Sequence, residues 1–135
     1  MSKMDGGCLC GAIRYTAAAD PAFTANCHCT HCQKQTGTAF SVVVAVPSAA
    51  LTVTGTPRTF EGTGDSGNRI VRHFCADCGS PIFTTGEALP GMSFVKAGTL
   101  DDTSWLAPTF DIWCSSAQPW VDIPDSRQRF DRGPR

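Results

Sequence analysis

Apolar positions in this chain come in short runs, each stopped by glycine, proline or a polar cluster. Ala12–Ala17, Phe40–Val46, Leu51–Thr54, Ile70–Phe74, Pro81–Thr85 and Met92–Ala97 are runs of this kind. They are rich in Val, Ile, Phe and Thr, and most are too short for helices, so they predict β-strands. Turn-forming residues lie between them, and Gly62-Thr63-Gly64-Asp65-Ser66-Gly67-Asn68 reads as a flexible loop on composition. Thr30–Thr36 predicts one short helical turn with Thr30 as its N-cap. No long amphipathic stretch, internal repeat or interdomain linker interrupts the pattern. The expectation is a single mainly-β domain over residues 1–123, followed by a flexible C-terminal tail over 124–135.

Composition supports this picture. A chain of 135 residues suits one domain, and 41% hydrophobic with 17% charged residues is a globular balance. The formal net charge is -1. Basic residues are scattered, with one loose group at Arg127, Arg129, Arg132 and Arg135 beside Asp125 and Asp131. That balance predicts no nucleic-acid partner. The first seven residues, Met-Ser-Lys-Met-Asp-Gly-Gly, carry no apolar leader, and no run approaches the length of a membrane span. A cytoplasmic location with reduced thiols is therefore expected, and no membrane partner.

The redox compartment matters because there are eight cysteines. In a reducing compartment, clustered cysteines point to metal rather than to disulfides. Seven fall into three groups: Cys8-Leu9-Cys10-Gly11, Cys27-His28-Cys29-Thr30-His31-Cys32 and Cys75-Ala76-Asp77-Cys78-Gly79. In an extended strand, residues two apart share a face, so Cys8 and Cys10 can grip one ion. Cys75-x-x-Cys78-Gly79 has the spacing of a zinc knuckle, in which glycine takes the positive φ that a Cβ disfavours. Two such pairs make a closed four-thiolate site, tying the first strand to a central hairpin. Four unrelated buried thiols would explain neither the paired spacing nor the glycine after each pair.

The middle group offers three thiols. Cys27 and Cys29 share a strand face and Cys32 returns after a turn, while His28 should face the other way. His31 or Cys114 could complete a tetrahedron and close a second structural site. Cys29-Thr30-His31-Cys32 also has the spacing of a redox pair, although no βαβ pattern surrounds it. The third reading is three protein ligands and an open position, as catalytic zinc uses. A zinc with three thiolates is a weak Lewis acid whose softness favours a further sulfur ligand. Its predicted chemistry is the making or breaking of a carbon–sulfur bond on a small thiol.

These residues resemble the glutathione-dependent formaldehyde-activating (GFA) family, which includes the centromere protein V domain. The resemblance rests on Gly7-Cys8-Leu9-Cys10-Gly11, Cys27-His28-Cys29-Thr30-His31-Cys32 and Phe74-Cys75-Ala76-Asp77-Cys78-Gly79-Ser80-Pro81. It closes with Asp111-Ile112-Trp113 and Ser116-Ala117-Gln118-Pro119-Trp120. It implies a β-tent fold of antiparallel sheets stapled by zinc. It implies a structural zinc on Cys8, Cys10, Cys75 and Cys78, and a second, catalytic-type zinc on Cys27, Cys29 and Cys32. The activity it implies is the condensation of formaldehyde with glutathione to S-hydroxymethylglutathione, a carbon–sulfur lyase reaction written in reverse. Glutathione has two carboxylates, for which Arg14, Lys34, Arg69, Arg72 and Lys96 are cationic candidates.

His28 and His31 are candidate acid–base groups because they sit beside the thiols, and addition to an aldehyde must deliver a proton to the new oxyanion. Asp111 reads as a strand-edge charge, Cys114 as a small buried hydrophobe, and Trp113 and Trp120 as packing residues. Three functions compete: a zinc-dependent carbon–sulfur lyase or thiol-adduct synthase, a non-catalytic binding or scaffolding module with both zincs structural, and a thiol redox protein.

Overall fold

The computed structural model describes residues 3–133. Met1 and Ser2 of the amino-terminal stretch, and Arg135 of the basic group, lie outside the described residues. Among the described residues the strands are β1 (Met4–Gly7), β2 (Arg14–Ala17), β3 (Phe23–Cys27), β4 (Ser41–Pro47), β5 (Leu51–Thr54) and β6 (Arg58–Thr63). They continue with β7 (Arg69–Phe74), β8 (Pro81–Gly86), β9 (Met92–Lys96), β10 (Phe110–Ile112) and β11 (Gln128–Arg129). One α-helix, α1, spans Thr30–Thr36. No helix among them is long and apolar enough to cross a membrane.

A small antiparallel sheet has the order β1-β2-β5, and a large one has the order β11-β10-β3-β4-β9-β8-β7-β6. This is the expected mainly-β fold of antiparallel sheets. The exception lies at one end, where β10 runs parallel to both β3 and β11. The stretch expected as a tail contains β11, which hydrogen-bonds to the sheet edge.

The core forms where the sheets meet. Val44, Val46, Ile82 and Val95 from the large sheet pack with Met4, Ile13, Tyr15, Ala17 and Leu100. Cys8 and Cys75 are buried in the same cluster, so one thiol group grows out of the core itself. Alternation sends the intervening residues of the large sheet to its other face. Phe23 pairs with Ala45 and Ala45 with Phe94; Cys27 pairs with Ser41. Directly paired residues share a face. Phe23 therefore packs beside Phe94 and Phe110 with tilted rings, centroids 6.1 and 5.3 Å away. Trp120 does not pack as expected: it is 70% exposed, on a turn after the last core-forming strand.

Candidate metal centres

Cys8 and Cys10 sit on a turn rather than on a strand. β1 ends at Gly7, and Gly11 N–H bonds back to the Cys8 carbonyl at 3.2 Å. The turn wins over the extended form because Gly11 takes φ 83°. The β7–β8 connection repeats the device: Gly79 N–H donates to the Cys75 carbonyl at 2.9 Å, and Gly79 has φ 81°. Two knuckles thus face each other. Cys10 Sγ lies 3.7 Å from both Cys8 Sγ and Cys75 Sγ, and all four sulfurs of Cys8, Cys10, Cys75 and Cys78 lie within 4.8 Å of one another. Ile13 N–H points at Cys8 Sγ at 3.2 Å, and Ser80 Oγ lies 3.2 Å from Cys78 Sγ. Such donors hold sulfur as thiolate, and the Ser80 hydroxyl and backbone, with the Cys10 backbone, draw Cys78 down to about 5. The group could hold a metal ion, and four thiols suit a soft divalent one.

The second group is built at the junction of β3 and α1. Cys27 is the last residue of β3, and Cys29, not Thr30, is the helix N-cap: its Sγ accepts the Cys32 N–H at 3.2 Å. A thiol takes the place of the usual capping hydroxyl, so capping and clustering become one arrangement. Cys32 lies in the first turn, with its Sγ 3.4 Å from Cys27 Sγ. The three sulfurs lie within 4.8 Å of one another and could hold a metal ion. Hydrogen bonds from Cys27 and Cys29 favour the Cys32 thiolate, and the charges of Lys96 and Arg72 add to this. The same crowding pushes Cys27 up.

Neither suggested fourth protein ligand joins the cluster. His31 Nδ1 pairs with Asp65 of the β6–β7 loop. That carboxylate also accepts the Thr30 N–H at 3.0 Å, so the loop read as flexible is docked on α1. Cys114 is half-buried and turns its thiol toward the Asp111 carbonyl at 3.6 Å.

Asp111 is not a strand-edge charge. It is fully buried, accepting Nε of Arg127 at 2.6 Å, Nε2 of His28 at 2.7 Å and Nδ2 of Asn26 at 3.3 Å. Burial alone would raise its pKa, but hydrogen bonds from Arg127, His28 and Asn26 outweigh burial and lower it. The carboxylate only accepts, so His28 carries its proton on Nε2. His28 is itself fully buried and packs at a tilt against Phe40, with centroids 5.0 Å apart. Asn26 and His28 flank Cys27, so this network holds β10 against the strand that presents the thiols. Gln33 adds a second clamp, donating to the carbonyls of His28 and Ser116 while accepting from Gln118 at 2.7 Å. The clue to Asp111 was a carboxylate flanked by Phe110 and Ile112 in a three-residue strand; the clue to Arg127 was absent, because its partner is 16 residues away.

A family model described as glutathione-dependent formaldehyde-activating enzyme matches residues 3–116. A protein of Phaeosphaeria nodorum, provisionally named as such an enzyme, is 32% identical over 81% of this chain and 58% of its own length. One from Aspergillus flavus with the same provisional name is 33% identical over 81% of this chain and 59% of its own length. The chain thus spans about three fifths of the length of these relatives. A crystal structure of a Rhodobacter sphaeroides protein shares the fold, with TM-score 0.59 and 19% identity over 78% of this chain and 92% of the other.

Proposed function

The chain belongs to the glutathione-dependent formaldehyde-activating enzyme family, and from that membership and the trithiol geometry we propose that it is a zinc-dependent carbon–sulfur lyase or thiol-adduct synthase. Its substrates on this reading are a small thiol, glutathione or a relative of it, and an aldehyde such as formaldehyde. The observation that carries the reading is the convergence of Cys27, Cys29 and Cys32 without a fourth protein donor among the described residues.

Cys8, Cys10, Cys75 and Cys78 are assigned a structural zinc, which staples the small sheet to the β7–β8 hairpin. Cys27, Cys29 and Cys32 are assigned the second, catalytic-type zinc. Bound there, zinc supplies a soft, electron-rich centre at which a thiol sulfur is held as thiolate at neutral pH. The protein's own residues set the stage. The Cys32 N–H orients the Cys29 sulfur, and Gln33 fixes the helix that carries Cys32. The buried His28–Asp111–Arg127 brace keeps β3 in register, so the three sulfurs need no rearrangement before substrate arrives. Of the two acid–base candidates, His31 is the exposed one and His28 acts through position.

The test is zinc per chain in protein purified without chelator, beside a Cys27→Ser variant. Two zincs in the parent and about one in the variant, with S-hydroxymethylglutathione formation lost in the variant, are expected. One zinc in both would overturn the trithiol reading. The cytoplasm, where glutathione is abundant and thiols stay reduced, is the compartment this function fits.

A further inference from the structure

Two cations are buried on the sheet face that presents the trithiol group. Lys96 ends β9 and Arg72 lies mid-way along β7; each is 7% exposed. Register places them. Cys27 pairs with Ser41, Val43 with Lys96, Thr84 with Phe94 and Arg72 with Thr84. Ser41 and Val43 are two apart on β4, as are Phe94 and Lys96 on β9, so Cys27, Ser41, Lys96, Thr84 and Arg72 share one face. The Lys96 ammonium donates to Ser41 Oγ at 2.8 Å, next to Cys27 in the ladder.

A buried cation costs stability unless an anion answers it. Among the described residues, no carboxylate pairs with Lys96 or Arg72; the ion pairs of this chain lie elsewhere. The negative groups whose fields meet these cations are the sulfurs. Burial lowers the Lys96 pKa and the like charge of Arg72 adds to this, while Cys32, Cys27 and Cys29 oppose it and hold the proton; both cations in turn favour the Cys32 thiolate. Three thiolates exceed a divalent ion by one negative charge, and a fourth thiolate makes that excess two. Lys96 and Arg72 supply two positive charges. The face is therefore neutral when a further thiolate is present, and positive without it.

We propose that Lys96 and Arg72 are specificity-determining residues of the trithiol site, binding the negative charge that a thiolate sulfur brings so that an anionic sulfur is taken over a neutral donor. The inference rests on the trithiol reading above. It places the two cations at the sulfur end of the substrate rather than at a distant carboxylate.

The test uses the full chain with both sites loaded with cobalt, whose visible spectrum reports sulfur binding, and 2-mercaptoethanol as the probe. Lys96→Met and Arg72→Met should each weaken binding about tenfold, and Lys96→Arg should restore it. On separate zinc-loaded samples, competition with a chelator should show the second zinc held more weakly in the Met variants, while the four-cysteine zinc stays and reports that they fold. Unchanged thiol binding in both Met variants overturns the inference, as does a Lys96→Arg protein as weak as Lys96→Met. Loss confined to 3-mercaptopropionate also overturns it, and would reassign the cations to a carboxylate. A wild type that binds a single zinc instead refutes the trithiol reading, and the inference falls with it.

Discussion

Removing the Asp111 carboxylate tests the brace behind the trithiol group. In Asp111→Ala, Arg127 Nε, His28 Nε2 and Asn26 Nδ2 lose their shared acceptor together. Breaking such a pair by deleting its buried partner costs about 3–5 kcal/mol, because the partly buried Arg127 charge goes unanswered while His28 and Asn26 stay buried without their acceptor. The entropy of unfolding is about 2.1 cal/mol/K per residue, hence roughly 0.28 kcal/mol/K for a chain of this length. The melting temperature should therefore fall by about 10–20 °C, read by circular dichroism in zinc-containing buffer. The control is Asp101→Ala, which removes an exposed pair with Arg14 whose side chains are 46% and 53% accessible. Such a pair contributes under about 1 kcal/mol, or less than roughly 4 °C. Equal shifts in the two variants would refute the argument that burial makes the difference. The sign of the pH dependence follows. Asp111 is lowered from 3.8 on folding, so its stabilisation is present above that value and is lost as pH falls through the lower, folded one. The gap between wild type and Asp111→Asn should be full at pH 6 and should close in acid.

Other substitutions separate strain, metal and docking. Gly79→Ala meets no neighbouring atom but forces a side chain into φ 81°, so it should cost about 1–2 kcal/mol in denaturant unfolding and leave zinc content unchanged. Cys78→Ser should lose the four-thiol zinc and several kcal/mol with it, and chelation of the wild type should reproduce that loss in a thermal melt. Asp65→Ala should change stability by less than about 1 kcal/mol, yet release the 62–68 loop from α1. Faster amide exchange at Thr30, whose N–H loses its acceptor, is the expected signature.

What the sequence revealed, and what it hid, divides along a physical line. β5 is observed with its expected bounds, and β4, β7, β8 and β9 differ by a residue or so; the apolar runs of β4, β5, β8 and β9 reach the core between the sheets. β1 was invisible: Met-Asp-Gly-Gly has poor strand propensity, and Gly6 is required because a Cβ there would strike the Tyr15 ring. β6 was missed for the opposite reason, since an edge strand exposed along most of its length needs no hydrophobic alternation. The thiol groups were legible because ligand spacing is local. The brace was not, since Asp111 and Arg127 gain meaning only once β10 lies beside β3, more than 80 residues earlier in the chain. Lys96 and Arg72 stood among five scattered cationic candidates, and only the register of five strands brings them onto the face of the sulfurs.

The brace also orders events in time. Cys27, Cys29 and Cys32 leave the ribosome well before Asp111 and Arg127. At roughly 5–20 residues per second, the stretch of about 95 residues between Cys32 and Arg127 takes about 5–20 s to synthesise. Until then the brace is incomplete, and three thiols sit on a nascent chain without the network that sets their positions. Oxidants and foreign metals compete for them in that interval. The quality of this site in a cell is therefore decided during translation, by whether β10 and β11 arrive before the sulfurs find another partner.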